Sequence, residues 1–327
     1  MSQDKKDGLP VLAVDLGGTK IIAAIVSASG QVIAKERCLT LADEGPQSVI
    51  NRLFSAIDGM LNLNSLSPSR LNSISIAAAG AIDVKRGLVT SSPHLPGWHD
   101  MPLRDIVKEK YKVDAFLIND ASAAALGEHR FGAGKGVENL VLLTVGTGIG
   151  GGIIINSRLY QGVSGGAGEV GHMTIDVSGS KDVCGNIGCL ETLASGTAMA
   201  QEARRRLNQG ETSSLVEMVD GKIENITAGE IGIAAERGDS LALEVITGAG
   251  TYLGVGLVNV VNIFNPEMIV IGGGVANLGA LLLDPARRVV QERAFQMSAR
   301  AVRIVPARLG NEAGIYGAAV FAFEQGG

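Results

Sequence analysis

Cysteine is scarce in this chain: three residues, an odd count, with no set of pairs that could staple a small secreted fold. That usage suits a reducing compartment and leaves Cys184 and Cys189 to be read as metal ligands rather than as a disulfide. Basic charge is not in excess either. Twenty-eight Lys and Arg against 33 Asp and Glu leave a net charge of -5, so no electropositive footprint marks a nucleic-acid partner. The opening MSQDKKDGLP is polar and charged, without the apolar stretch of a secretory leader, and a cytoplasmic location is expected. One run, residues 245–266, carries no charge over 22 residues, yet Gly248, Gly250, Gly254, Gly256, Asn259, Asn262 and Asn265 interrupt it. It reads as a buried interdomain helix rather than a membrane span, and no membrane partner is expected. No low-complexity linker divides the chain.

Glycine is what the chain has in quantity, at 45 of 327 residues, roughly twice the usual ~7%. Much of it lies in short loops between apolar strands, where the backbone can approach a ligand closely. The length favours two domains and therefore a cleft for a small molecule. Residues 11–15 form an apolar strand ending in Asp15, followed by Leu16-Gly17-Gly18-Thr19-Lys20 and a second apolar strand at 21–26. Residues 140–145 repeat the design, leading through Gly146-Thr147-Gly148-Ile149-Gly150-Gly151-Gly152 into a strand at 153–155. The recurrence about 130 residues on predicts an internal duplication.

Helices are expected at 47–61, 103–110, 121–128, 191–207, 228–237, 240–263 and 311–324, with strands at 74–78, 115–118 and 268–271. This is an α/β alternation whose domain boundary is expected just before Asn119. The smaller lobe would then hold residues 1–118 and 312–327, and the larger lobe 119–311.

A triphosphate needs backbone N–H donors in tight loops, and both duplicated loops offer them, with a third glycine cluster at Gly272-Gly273-Gly274. Asp15 adds a carboxylate suited to a hydrated Mg²⁺, which keeps several waters and takes few protein oxygens. Plain hairpin turns are the alternative for either loop alone. Residues 146–151 also satisfy G-x-G-x-x-G, but a dinucleotide fingerprint must open a helix, whereas a strand follows here. The Walker pattern fails because Lys135 is followed by Gly136 where Ser or Thr should bind metal.

Phosphoryl transfer to a hydroxyl asks for a carboxylate that accepts the proton, and Asp120 sits where a strand meets an Ala-rich helix. Its position fits equally a helix N-cap with no further role. His172, Cys184 and Cys189 fall within 18 residues, compact enough for a zinc loop that Asp182 could complete through oxygen. Two buried thiols and a core histidine remain the plainer account. His94, His99, His129 and Cys38 have no constellation around them, and Trp98, after Pro96-Gly97, reads as packing.

Taken together, these motifs resemble the ROK family (repressors, open reading frames, kinases), in its bacterial glucokinase-like branch, over nearly the whole chain. Residues 15–20 resemble its first phosphate loop, Asn119-Asp120 with the following Ala-rich segment its catalytic segment, and residues 146–152 with 165–172 its signature. The resemblance implies an actin-like, ribonuclease-H-like ATPase duplication of two lobes around a cleft, with ATP between the lobes and the sugar deep in the cleft. It implies an ATP-dependent kinase that phosphorylates a free hexose, glucose at O6 first, with N-acetylmannosamine, N-acetylglucosamine, fructose or mannose as alternatives. Asp120 would be the general base, and Asn119, Glu169, His172 and Glu191 would contact sugar hydroxyls. Asp15, Gly17, Gly18, Thr19, Lys20, Gly146, Thr147, Gly148, Gly272, Gly273 and Gly274 would serve ATP and Mg²⁺. His172 would both ligate a structural Zn²⁺ and touch the sugar. A homo-oligomer, dimer or tetramer, is the family's habit. Two departures stand out: Asp182 replaces the first cysteine of the family's zinc loop, and Ser122 stands where glucokinase-like members carry Asn. A sugar-sensing repressor of the same family would need a winged-helix module, and only ten residues precede the first phosphate strand.

Overall fold

The structure, a computed structural model, describes residues 8–326; most of the polar opening stretch lies outside them. Apolar runs that alternate with tight turns make the first sheet: β1 (Val11–Leu16), β2 (Lys20–Val26), β3 (Val32–Leu39), β4 (Ile74–Ala78) and β8 (Ala115–Asn119). Its order is β3-β2-β1-β4-β8, with β1 antiparallel to β2 and parallel to β4, and β4 parallel to β8. Helix α1 (Pro46–Leu63) buries Val49, Ile50, Leu53, Ile57, Met60 and Leu61, the three-and-four spacing of one helical face. That face joins Leu12, Val14 and Ile21 of the sheet in one core, which also holds Trp98, at 1% exposure a packing residue as expected. A small antiparallel sheet, β5 (Ala81–Asp83), β6 (Leu88–Ser91) and β7 (His99–Met101), precedes α2 (Leu103–Tyr111), and α3 (Asp120–Phe131) follows β8.

The second sheet contains β9 (Leu140–Val145), β10 (Ile149–Ile155), β11 (Arg158–Leu159), β12 (Met268–Gly272) and β13 (Arg303–Pro306). Its order, β11-β10-β9-β12-β13, copies the first strand for strand. The β9–β12 and β12–β13 pairs are parallel and β10–β11 is antiparallel, as at the equivalent places in the first sheet. The duplication read from the two glycine loops is thus a duplication of topology.

Between β11 and β12 run α4 (Glu191–Ala194), α5 (Gly196–Asn208), α6 (Leu215–Met218), α7 (Ala228–Glu236) and α8 (Ser240–Phe264). After β12 come α9 (Ala280–Arg293) and α10 (Gln296–Ala301), and α11 (Ala313–Gln325) ends the described chain. The single helix expected over 191–207 is two, because Ser195 leaves helical geometry and its side chain accepts from Ala198 N to cap the second.

Two compact units emerge: one of residues up to Glu138, Gly152–Gly168 and from Arg308 onward, the other of Asn139–Gly151 and Glu169–Ala307. The division falls after Glu138 rather than before Asn119, because α3 packs on α11 within the first unit. That crossing is very close: a Cβ on Gly317 would lie 1.6 Å from Ala123 O, and one on Gly127 2.3 Å from Ala313 O. Helix α8 is long and apolar enough to cross a membrane, yet 56% of its most apolar window is buried in the protein. It lies inside the second unit, packed on α9, α5 and α4, rather than between domains, and its glycines let α9 approach. At Gly254, for instance, a Cβ would sit 2.8 Å from Ala286 O.

Candidate active site

In the first unit, β1 delivers Asp15 and the turn at Gly17–Thr19 reverses the chain into β2. Gly17 N donates to Lys20 O (3.0 Å), and the buried Thr40 staples the turn, donating its hydroxyl to Gly17 O (2.6 Å) and its N–H to Thr19 O (3.0 Å). Gly18 has no room for a side chain, since a Cβ there would meet His94 O at 2.6 Å. Lys20 reaches Asn311 Oδ1 (3.0 Å).

Beside this turn, β8 ends on Asn119, whose side chain accepts from Ser122 N (3.0 Å) and donates to Gly80 O and Asp120 Oδ1, each at 3.1 Å. The cap of α3 is therefore Asn119. Asp120, the first helical residue, is relieved of that task; its Oδ1 accepts from Ala121 N (2.8 Å). Burial, and then the charge of Asp120, push the Asp15 carboxyl up to about 7 against the lowering pull of Lys20. Two carboxylates at the ends of β1 and β8, one strand apart in the sheet, that repel one another form a setting that welcomes a cation or a proton.

In the second unit, Glu191 at the start of α4 accepts Ile149 N at 2.5 Å. Gly148 makes this possible, because a Cβ there would lie 2.3 Å from Glu191 Oε2. Glu169 is raised by burial first and by Glu191 as well, while His172 lowers it, so these three side chains share one electrostatic neighbourhood. His172 Nδ1 meets Asp182 Oδ2 at 2.8 Å, Cys184 Sγ donates to the same oxygen (3.1 Å), and the Cys184 and Cys189 sulfurs lie 3.8 Å apart.

All four donor atoms fall within 4.8 Å of one another. The sulfur separation matches the tetrahedral edge of about 3.8 Å that two Zn–S bonds of about 2.3 Å require, so His172, Asp182, Cys184 and Cys189 fit a zinc ion. Burial tends to raise Asp182, but hydrogen bonds from Cys184, Cys189, His172 and Val183 N prevail and hold it down at about 2. Burial and the Asp182 carboxylate push the Cys189 thiol up to about 12.

The remaining glycines separate in role. Gly146, Thr147 and Gly274 line a cavity of about 610 Å³, whereas Gly272 closes β12 and Gly273, at φ +86°, turns over Val145 O. The rest of that cavity comes from α5, α7 and residues 274–278, including Thr197, Ala228, Gly232 and Asn277. None of these four was singled out by sequence. The one signal available was smallness: a Cβ on Gly232 would come within 2.7 Å of Leu278 Cδ2. The α5 end is tied to the second glycine loop, with Gly196 N donating to Gly146 O (2.7 Å) and the Thr197 hydroxyl to Thr147 O (2.8 Å).

The family model described as the ROK family matches residues 11–325. The chain belongs to the ROK family. Within it, a glucokinase from Halalkalibacterium halodurans is 38% identical over 307 residues, spanning 94% of this chain and 92% of that protein. A xylose repressor from Caldicellulosiruptor bescii is 34% identical over 315 residues, spanning 96% of this chain and 78% of the repressor. Among solved ROK structures, a glucokinase from Streptomyces griseus in complex with glucose and AMPPNP superposes with a TM-score of 0.84 at 34% identity, covering 96% of this chain and 99% of that one. The mixed α/β architecture with its repeated sheet is accordingly the actin-like, ribonuclease-H-like ATPase fold of the ROK sugar kinases.

Proposed function

We propose that this ROK chain is an ATP-dependent hexose kinase that transfers the γ-phosphoryl group of ATP to O6 of glucose. The observation that carries the reading is at the start of α3, where Asn119 caps the helix and leaves Asp120 free of that task, its charge felt by the buried Asp15. Its glucokinase relatives, and the bound glucose and AMPPNP of the Streptomyces griseus enzyme, support the substrate pair.

In this reading Asp120 takes the proton of the sugar hydroxyl as its oxygen attacks the γ-phosphorus and the bond to the β-phosphate oxygen breaks, releasing ADP. Asn119, Glu169, His172 and Glu191 hold the other hydroxyls, and their alternation of acceptors and donors suits a polyol. Gly17, Gly18, Thr19 and Lys20, and likewise Gly146, Thr147 and Gly148, would serve ATP phosphates, as the family resemblance implies. The cavity at Gly146, Thr147 and Gly274 takes the nucleoside, for which 610 Å³ is ample. Asp15 would hold a hydrated Mg²⁺, an ion that neutralises triphosphate charge and relieves the Asp15–Asp120 repulsion. His172, Asp182, Cys184 and Cys189 would hold Zn²⁺, fixing the His172 ring for the sugar.

A coupled ADP-release assay over a hexose panel, with Asp120→Asn beside it, tests the reading. Glucose should give the highest kcat/KM, and Asp120→Asn should lose about 10²–10⁴ in kcat with little change in sugar affinity. Near-full turnover by Asp120→Asn would remove the base assignment. Tight sugar binding without ADP release by the native chain would favour the sensor role that the repressor relative exemplifies.

A further inference from the structure

The zinc loop closes on a short segment, Cys184-Gly185-Asn186-Ile187-Gly188-Cys189, in which Gly185 (φ +91°) and Gly188 (φ +66°) take left-handed conformations that fold the two thiols back on each other. The sulfurs are 3.8 Å apart, about 1.8 Å more than a disulfide bond of about 2.0 Å, a gap that side-chain rotation and a small shift of an exposed turn can close. Their surroundings are unequal: Cys184 is exposed and Cys189 is wholly buried. The third cysteine, Cys38, lies on β3 in the first unit. In the same turn Asp182, rather than a third thiolate, completes the donor set. A carboxylate oxygen is a poorer partner than thiolate for a soft, closed structural site, so zinc is held less firmly here than by three sulfurs.

We propose that Cys184 and Cys189 form a thiol–disulfide couple that competes with zinc, making this loop a modification site for low-molecular-weight disulfides. Once zinc has left, the exposed Cys184 thiolate attacks one sulfur of the small disulfide, forming a mixed disulfide and expelling one small thiol. Cys189 Sγ, giving its proton to solvent as it reacts, then attacks Cys184 Sγ, forming the internal disulfide and expelling the second small thiol. Two protein thiols are oxidised and one small disulfide is reduced, so electrons and protons balance. Closure draws on Cys189, two residues before Glu191, which holds Ile149 N, and on His172, whose carbonyl lies 3.6 Å from Cys189 Sγ. The oxidised loop therefore disturbs the residues assigned above to the sugar.

This inference rests on the zinc reading of the same four side chains. The test uses the full chain, zinc-loaded and chelator-stripped, incubated with oxidised glutathione, and reads free thiols, intact mass and the peptide linking residues 184 and 189. Stripped protein should lose two of its three thiols and two hydrogens of mass, without a retained glutathione, at least tenfold faster than zinc-loaded protein. In the oxidised form the KM for sugar should rise at least tenfold, with the KM for ATP unchanged and dithiothreitol restoring both. Cys184→Ser should abolish the internal link, and Asp182→Cys should lose zinc to the chelator at least tenfold more slowly. Three thiols persisting in stripped protein, or a glutathione adduct left unresolved on Cys184, would overturn the couple. Asp182→Cys releasing zinc as fast as the native chain would overturn the part given to Asp182. Thiol loss at equal rates with and without added zinc would refute the competition while leaving the couple, so the two readings fail separately.

Discussion

Replacing Glu128 by Gln tests how α3 is held. Glu128 lies on α3, is fully buried, and is satisfied by backbone N–H groups. Oε1 accepts from Arg308 N (2.8 Å) and Leu309 N (2.6 Å), and Oε2 from Ala133 N (2.7 Å). One carboxylate thereby pins both the exit of α3 and the segment leading into α11, the helix whose Gly314 packs against Asp15. A glutamine can keep its oxygen on the Arg308–Leu309 side only by turning its NH₂ toward Ala133 N, so one bond becomes a donor–donor contact. Hydrogen bonds to a charged group contribute about 1.5–3 kcal/mol each, and an unsatisfied buried donor costs about 1–3 kcal/mol, so Glu128→Gln should destabilise by about 2–4 kcal/mol. For a unit of this size that is a fall in thermal midpoint of roughly 5–12 °C. Differential scanning calorimetry with urea titration gives the number, and Glu128→Ala, which strands all three donors, should fall further. A Glu128→Gln midpoint within about 1 °C of the native chain would refute the reasoning.

Two further substitutions probe the two units separately. Gly148→Ala places a methyl group where the Glu191 carboxylate lies, so Glu191 must swing away from Ile149 N; the KM for glucose should rise about tenfold or more in steady-state kinetics, with the fold retained by circular dichroism. For Asp15 the sign follows from its titration at about 7 in the fold against the ordinary 3.8: the native state prefers the protonated carboxyl. Its ionisation therefore works against folding, with a cost that grows as pH rises from about 4 to about 7 and is constant above, reaching up to about 4 kcal/mol. In nucleotide-free protein Asp15→Asn should be more stable than the native chain at pH 8 and no more stable at pH 4.5, by urea unfolding. Equal gains at both values would remove the raised carboxyl from the account.

Much of this was legible in the sequence because it was written locally. The strands at 74–78 and 268–271 and the two glycine turns are short apolar runs bounded by turn residues, so their signals need no partner. The edge strands β3 and β13 escaped, since their exposed faces carry Lys35, Glu36 and Arg303 and dilute the apolar pattern. Helix α9 escaped as well; Pro285 lies inside it, where a proline ordinarily argues against a helix. The break at Ser195 was visible as a capping residue before Gly196, but the apolar spacing on both sides masked it.

For the candidate site, Asp120 could not be told from a cap until Asn119 was seen to do the capping. Glu128 drew no separate reading, because the donors it satisfies at Arg308 and Leu309 lie 180 and 181 residues away. The cavity at Gly146, Thr147 and Gly274 was hidden for the opposite reason: Ala228, Gly232 and Val275 are individually bland, and only their assembly makes a slot.

The first unit is completed by residues from Arg308 onward, which return to it after the whole of the second unit has intervened in sequence. Its surroundings of Asp15 stay incomplete until α11 has been synthesised, while the whole second unit emerges from the ribosome in the interval. A nascent chain halted anywhere before Arg308 thus exposes the face of α3 that Gly317 and Ala313 would cover, and leaves Glu128 without the Arg308 and Leu309 N–H groups. Completion of the surroundings of Asp15 must be a long-range docking event that follows the second unit in synthesis, and chains cut before Arg308 should have a second unit that forms while the first remains prey to proteases.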